Sequence, residues 1–184
     1  MQIVGIAGSL RSASYNSALL RAATAECPAG AKIQIESIRG IPLYDGDLEA
    51  AQGIPARAAE LKEQIAAADG LLLVTPEYNN SIPGVFKNAI DWLTRPAADI
   101  PRIFGQRPVG LIGASPGAFG TISSQTAWLP IFRTLGMRPW FGRTLYVGGA
   151  GKVFDPSGNL IDEAIRTRLH DYLRGFVEYV SSTR

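Results

Sequence analysis

The chain is 184 residues long, 46% hydrophobic and 18% charged, a balance that excludes a disordered protein and suits one domain over 1–184. A net charge of +2 without any basic run excludes a nucleic-acid or anionic-membrane footprint, and no apolar run reaches the roughly 18 residues of a membrane span. Cys27 is the only cysteine, so no internal disulfide is possible, and residues 1–7 are too short for a signal peptide, so the chain reads as cytoplasmic.

Residues 2–7 form the first short apolar run, of β type. It leads into Gly8-Ser9-Leu10-Arg11-Ser12-Ala13-Ser14-Tyr15-Asn16-Ser17, and an alanine- and leucine-rich helix is predicted over 14–25. Strand, polar loop and helix start make a phosphate site, because backbone N–H groups and the positive end of the helix dipole converge there. Arg11 adds a planar, permanently charged fork. Ser9, Ser14, Asn16 and Ser17 can each donate to phosphate oxygens. An ordinary helix cap at Ser14 or Asn16 explains one of these residues, not four and an arginine. The loop lacks the Gly-Lys-Ser/Thr ending of a Walker A and the Gly-x-Gly-x-x-Gly of a dinucleotide site.

The second β-type run is 32–37, and the glycine- and proline-dense piece at 40–46 reads as a surface loop. A helix follows in which Ala58, Leu61, Ile65 and Ala68 recur at helical spacing. The run 70–75 is almost wholly apolar, as a central parallel strand should be. It opens into Thr75-Pro76-Glu77-Tyr78-Asn79-Asn80-Ser81-Ile82-Pro83-Gly84. The N–H groups and amides of this loop suit the polar edge of a flat heterocycle, with Tyr78 over one side. Proline and asparagine are equally common in a plain, rigid βα connection. Ser81 is expected to cap a helix with Pro83 in its first turn and Val85, Phe86, Ala89, Ile90 and Leu93 on its apolar face.

The next central strand, 108–114, ends in Gly113-Ala114-Ser115-Pro116-Gly117. This matches the Gly-x-Ser-x-Gly elbow of serine hydrolases, and Asp155 or Asp162 and then His170 follow in the right order. The chemistry fails: the residue after the nucleophile must donate its N–H to the oxyanion, and Pro116 has none. His170 also falls in the middle of a helix, so a glycine-rich turn under a ligand ring is the better reading. A helix over 121–135 with a kink at Pro130, a fifth strand at 143–147 and a loop at 148–158 come next. In the last helix, 162–180, a stripe of Ile161, Ile165, Leu169, Leu173, Phe176 and Val180 marks the buried face. Trp92, Trp128 and Trp140 read as core or subunit-contact residues, Cys27 as an inert thiol, and no cluster has metal-ligand spacing. Five strands alternating with five helices predict an α/β protein with a doubly wound parallel sheet. The three unusual loops all leave the carboxyl ends of strands, where open parallel sheets bind ligands.

Taken together these motifs resemble the NAD(P)H-dependent FMN reductases of the flavodoxin-like superfamily, the group that includes bacterial quinone and chromate reductases. The resemblance rests on Gly8-Ser9-Leu10-Arg11-x-x-Ser14-Tyr15-Asn16, and equally on Thr75-Pro76-Glu77-Tyr78-Asn79-x-Ser81-Ile82-Pro83-Gly84 continuing through Lys87-Asn88-Ala89-Ile90-Asp91-Trp92. Ile41-Pro42-Leu43-Tyr44-Asp45 is similar to the family's loop after the second strand, whereas Ser115-Pro116-Gly117-Ala118 departs from a more glycine-rich stretch. The resemblance implies a five-stranded sheet in the order 2-1-3-4-5 with helices on both faces. It implies FMN as cofactor, NADPH or NADH as hydride donor, and a quinone, flavin, azo compound or chromate as small-molecule electron acceptor. By position, Ser9, Arg11, Ser14, Asn16 and Ser17, with the backbone of Tyr15, would hold the FMN phosphate. Pro76, Glu77, Tyr78 and Asn79 would line the isoalloxazine ring, with Ser115 and Gly117 at its other edge. Ping-pong kinetics without a catalytic side chain are implied, as is a homodimer or homotetramer with Glu77 and the helix starting at Ser81 near a subunit contact. The alternative is a flavodoxin-like electron carrier without turnover of its own. Such carriers are strongly acidic, and a charge of +2 favours the enzyme.

Overall fold

In the computed structural model, which describes residues 1–183, β1 (Gln2–Ala7) is followed by α1 (Tyr15–Ala25), β2 (Lys32–Glu36), α2 (Gly46–Gln52) and α3 (Ala56–Ala67). Then come β3 (Gly70–Val74), α4 (Gly84–Leu93), α5 (Ile100–Ile103), β4 (Pro108–Ala114), α6 (Ile122–Ala127) and α7 (Leu129–Thr134). The chain closes with β5 (Arg138–Pro139), β6 (Tyr146–Val147), α8 (Ala150–Val153) and α9 (Glu163–Ser182).

All pairings of the main sheet are parallel, in the order β2-β1-β3-β4-β5, with β6 also on the outer edge of β4. This is the expected flavodoxin-like order. The alternation of β1 and β3 sends Ile3, Leu72 and Val74 toward α1 and α9, and Val4, Ile6, Leu71 and Leu73 toward α3, α4 and α7. Apolar cores on both faces explain why β3 is hydrophobic at every position.

The fifth strand departs from the expected 143–147. The outer edge of β4 is covered by two short pieces, Arg138–Pro139 at its start and Tyr146–Val147 at its end. Between them the phenol of Tyr172, on α9, fills the missing rung: its oxygen accepts from the Leu111 N–H (2.7 Å) and donates to the Leu111 carbonyl (3.2 Å). A side chain from 61 residues away thus satisfies both groups of an interrupted ladder, and no local pattern announces it. Tyr172 is buried, and burial raises its pKa. Tyr172→Phe leaves two backbone groups unpaired, so unfolding stability should fall by about 2 kcal/mol, read as a lower urea midpoint at unchanged slope.

Three further expectations are corrected. Ser81 does not cap α4; the residue before the helix is Pro83, and both backbone groups of Ser81 pair with Tyr78. The helix foreseen over 121–135 is two helices meeting at Trp128, because Pro130 has no N–H for the carbonyl of Thr126. Finally, the stretches 40–46 and 148–158, read as loops, contain the starts of α2 and all of α8.

Candidate active site

β1, β3 and β4 lie side by side, so the loops that leave their carboxyl ends meet. Ser9, Arg11, Ser14, Tyr15 and Asn16 from the first, Pro76, Glu77 and Tyr78 from the second, and Ala114, Ser115 and Pro116 from the third line one cavity. Ser17, Asn79 and Gly117 lie outside that lining. A larger groove of 540 Å³ shares Arg11, Ser14 and Tyr15 and continues past Arg21 to residues 154–158.

At the end nearest α1, Ser14 is the helix cap, its hydroxyl accepting from the N–H groups of Asn16 (3.2 Å) and Ser17 (3.3 Å). Asn16 is only 3% exposed, and its side-chain amide bridges to β4: Nδ2 donates to the Ala114 carbonyl (2.8 Å) and Oδ1 accepts from the Ala114 N–H (2.9 Å). The β3–β4 ladder ends with the Thr75 N–H on the Ile112 carbonyl, and beyond it Asn16 takes up both backbone groups of Ala114. Asn16 thus ties the start of α1 to the end of β4 with one of its two amide protons.

This loop keeps several hydrogen-bond donors unpaired. Among the described residues the backbone N–H groups of Ser12, Ala13, Ser14 and Tyr15 have no acceptor. The Arg11 guanidinium bonds only to the Ala13 carbonyl (3.0 Å), with no carboxylate within 4.0 Å among the described residues. The Ser9 hydroxyl accepts from the Arg11 N–H (3.3 Å), leaving its own proton to give. The sequence did not signal Arg39, whose guanidinium donates to the Leu10 carbonyl and sets a second cation beside the loop. Several unfilled donors around a free guanidinium fit a phosphate monoester.

At the other end, Tyr78 and Ser81 exchange both backbone hydrogen bonds (3.1 Å each), with Asn79 (φ 51°) and Asn80 (φ 59°) between them. This is a two-residue turn with both central residues left-handed, a conformation that asparagine tolerates better than other side chains. It leaves the Tyr78 side uncovered and the backbone N–H groups of Glu77 and Asn79 without acceptors among the described residues. The Glu77 carboxylate points elsewhere. Oε2 accepts from the Ser124 N–H in the first turn of α6 (2.9 Å), while the residue remains part of the cavity lining.

The third loop folds onto residues 147–150: the Ser115 N–H donates to Val147 (2.9 Å), Ala150 donates to Ser115 (3.0 Å) and Gly149 to Gly117 (3.0 Å). The Ser115 hydroxyl donates to the Gly120 carbonyl (2.7 Å), while His170 lies on α9 beside Glu26. The hydrolase arrangement is absent. The loop 41–45 docks on α4, where Asn88 (2.8 Å) and Trp92 (2.9 Å) both donate to the Pro42 carbonyl.

Comparison with known proteins accords with this geometry. The family profile described as NADPH-dependent FMN reductase matches residues 1–152. An NAD(P)H-dependent FMN reductase of Pseudomonas aeruginosa is 40% identical over 184 residues, covering 100% of this chain and 97% of that protein. The quinone reductase of Escherichia coli is 36% identical over 187 residues, with 100% and 97% covered. Among solved structures, the flavoenzyme NAD(P)H:(acceptor) oxidoreductase of Paracoccus denitrificans superposes with a TM-score of 0.87 at 28% identity, covering 99% of this chain and 98% of that one.

Proposed function

The chain belongs to the NADPH-dependent FMN reductase family, and from that premise we propose that it reduces a small-molecule acceptor at the meeting point of the β1, β3 and β4 loops. It is an oxidoreductase that uses FMN and NAD(P)H. When bound, FMN supplies the redox chemistry, so no side chain has to act as nucleophile, acid or base. Arg11, the Ser9 hydroxyl and the free N–H groups of residues 12–15 hold its phosphate, and Ser14, Asn16 and Ser17 shape that cradle. Pro76, the backbone of Glu77, Tyr78 and Asn79 border the ring, with Ser115 and Gly117 at its far edge. The free N–H groups of Glu77 and Asn79 are placed to stabilise negative charge on the reduced ring.

The observation that carries this reading is the convergence of three loops, with unpaired backbone N–H groups and the Arg11 guanidinium at one end and an exposed tyrosine at the other. We read the acceptor as a flat oxidant of quinone, flavin or azo type, or chromate, with quinones foremost because relatives of similar length are quinone reductases. Nicotinamide and acceptor take turns in one cleft, which predicts parallel double-reciprocal plots. We further read the chain as a single-domain cytoplasmic protein that forms a homodimer or homotetramer with the start of α4 near the contact; no helix among the described residues is long and apolar enough to cross a membrane.

The test is anaerobic addition of NADPH or NADH to the FMN-loaded protein. The yellow flavin colour should bleach within turnover time, and an acceptor panel run with both nucleotides should show quinone reduction. A flavin that neither nucleotide bleaches would leave only the electron-carrier reading.

A further inference from the structure

From a buried hydrogen-bond network outside the cavity, we infer that Glu77 is a positioning residue whose carboxylate latches the 76–81 loop to α6 and so sets where the flavin ring lies. The inference rests on the reading that this loop borders FMN. Thr75, Ser124 and Trp128 are at most 1% exposed and share one polar cluster. Trp128 Nε1 donates to Thr75 Oγ1 (3.2 Å), and Thr75 Oγ1 donates to the Pro76 carbonyl (2.9 Å). Ser124 Oγ lies 2.9 Å from Thr75 Oγ1. With its one proton committed to Pro76, Thr75 accepts from both neighbours, so the Ser124 hydroxyl is the donor. The backbone N–H of Ser124, in the first turn of α6, has no intrahelical acceptor, and the Glu77 carboxylate takes it at 2.9 Å.

Two consecutive loop residues are thus fixed from the same place on α6: Pro76 through its carbonyl, by way of Thr75, and Glu77 through its carboxylate. These residues begin the segment that carries the free N–H groups of Glu77 and Asn79 and the tight turn presenting Tyr78. The carboxylate sits on the helix N-terminus, where the local dipole compensates its charge, rather than on the ring. Loss of the latch frees the loop without emptying the phosphate cradle, and displacement of a reacting group by about an ångström costs up to about a hundredfold in rate.

The experiment uses FMN-loaded protein with excess FMN and stopped-flow reduction by NADPH. Glu77→Ala should shift the visible flavin spectrum and slow flavin reduction by about tenfold (~1.4 kcal/mol), with the KM for NADPH changed far less. Glu77→Gln keeps an oxygen acceptor for the Ser124 N–H and should recover most of both losses. Thr75→Val, which unlocks Pro76 from the other side, should shift the spectrum in the same sense as Glu77→Ala. A wild-type spectrum and reduction rate in Glu77→Ala would overturn the latch. So would Glu77→Gln as slow as Glu77→Ala, since charge at the ring would then be the operative property. A wild-type protein that retains no FMN would instead overturn the reading of the site itself.

Discussion

Arg11→Ala is expected to raise the FMN dissociation constant by about a hundredfold, the equivalent of ~2.7 kcal/mol. The side chain is exposed and bonds only to the Ala13 carbonyl, so its removal disturbs no core contact and the fold should be untouched. What it removes is the one guanidinium lining the cavity, among donors that otherwise offer only partial charges. Arg11→Lys should recover only part of the loss, because a compact ammonium cannot present two parallel N–H groups to a phosphate. Equilibrium dialysis at fixed ionic strength, with flavin absorbance as the readout, measures it. The nearby Arg39 cation and the four free backbone N–H groups survive the change, so binding is weakened and not abolished. Unchanged flavin retention would remove the phosphate from this loop.

The parts of the molecule legible in the sequence are those whose pattern is imposed locally. β3 is apolar throughout because helices cover both faces, and α9 shows its stripe because one side packs on the sheet. By contrast, α2 has no buried residue, so it carries no apolar period to read, and only the Asp45 cap marks its start. The split edge strand was hidden for another reason: its missing rung is filled from α9. The site divides the same way. The Ser14 cap and Arg11 beside it are legible because loop and helix are contiguous. The backbone partners of the Asn16 and Glu77 side chains are not legible, because they lie 98 and 47 residues away. Asn16 joins α1 to β4, and Glu77 joins the 76–81 loop to α6. Thr75 and Ser124 carried no signal, since a hydroxyl residue at a strand end or in a short helix is unremarkable until the fold brings the two together.

The two glycines of the Gly-x-Ser-x-Gly segment should respond oppositely to alanine, and the difference tests why the segment looks like a hydrolase elbow without being one. A Cβ on Gly113 would stand 2.2 Å from the Thr75 carbonyl oxygen and 2.2 Å from Thr121 Oγ1. Neither neighbour can retreat freely. The carbonyl belongs to the backbone of the β3 end that opens the ring-side loop. Thr121 is fully buried and accepts from Gln125 Nε2 (3.0 Å), which also donates to the Leu145 carbonyl (3.1 Å). Gly113→Ala should therefore cost about 3 kcal/mol of unfolding stability or more, seen as a lower urea midpoint, and should displace Thr75 and with it the loop. A Cβ on Gly117 would meet only Ser115 Oγ at 3.6 Å, an ordinary contact on an exposed turn, so Gly117→Ala should stay within about 0.5 kcal/mol of the parent. Alanine narrows the unfolded ensemble at both positions and so favours folding, and equal losses would therefore mean that close approach at Gly113 is not what sets the cost. A large loss confined to Gly113 means that its glycine is required by the close approach of the Thr75 carbonyl and the Thr121 hydroxyl. The serine between the two glycines, its hydroxyl donating to Gly120, is then a loop staple and not a nucleophile.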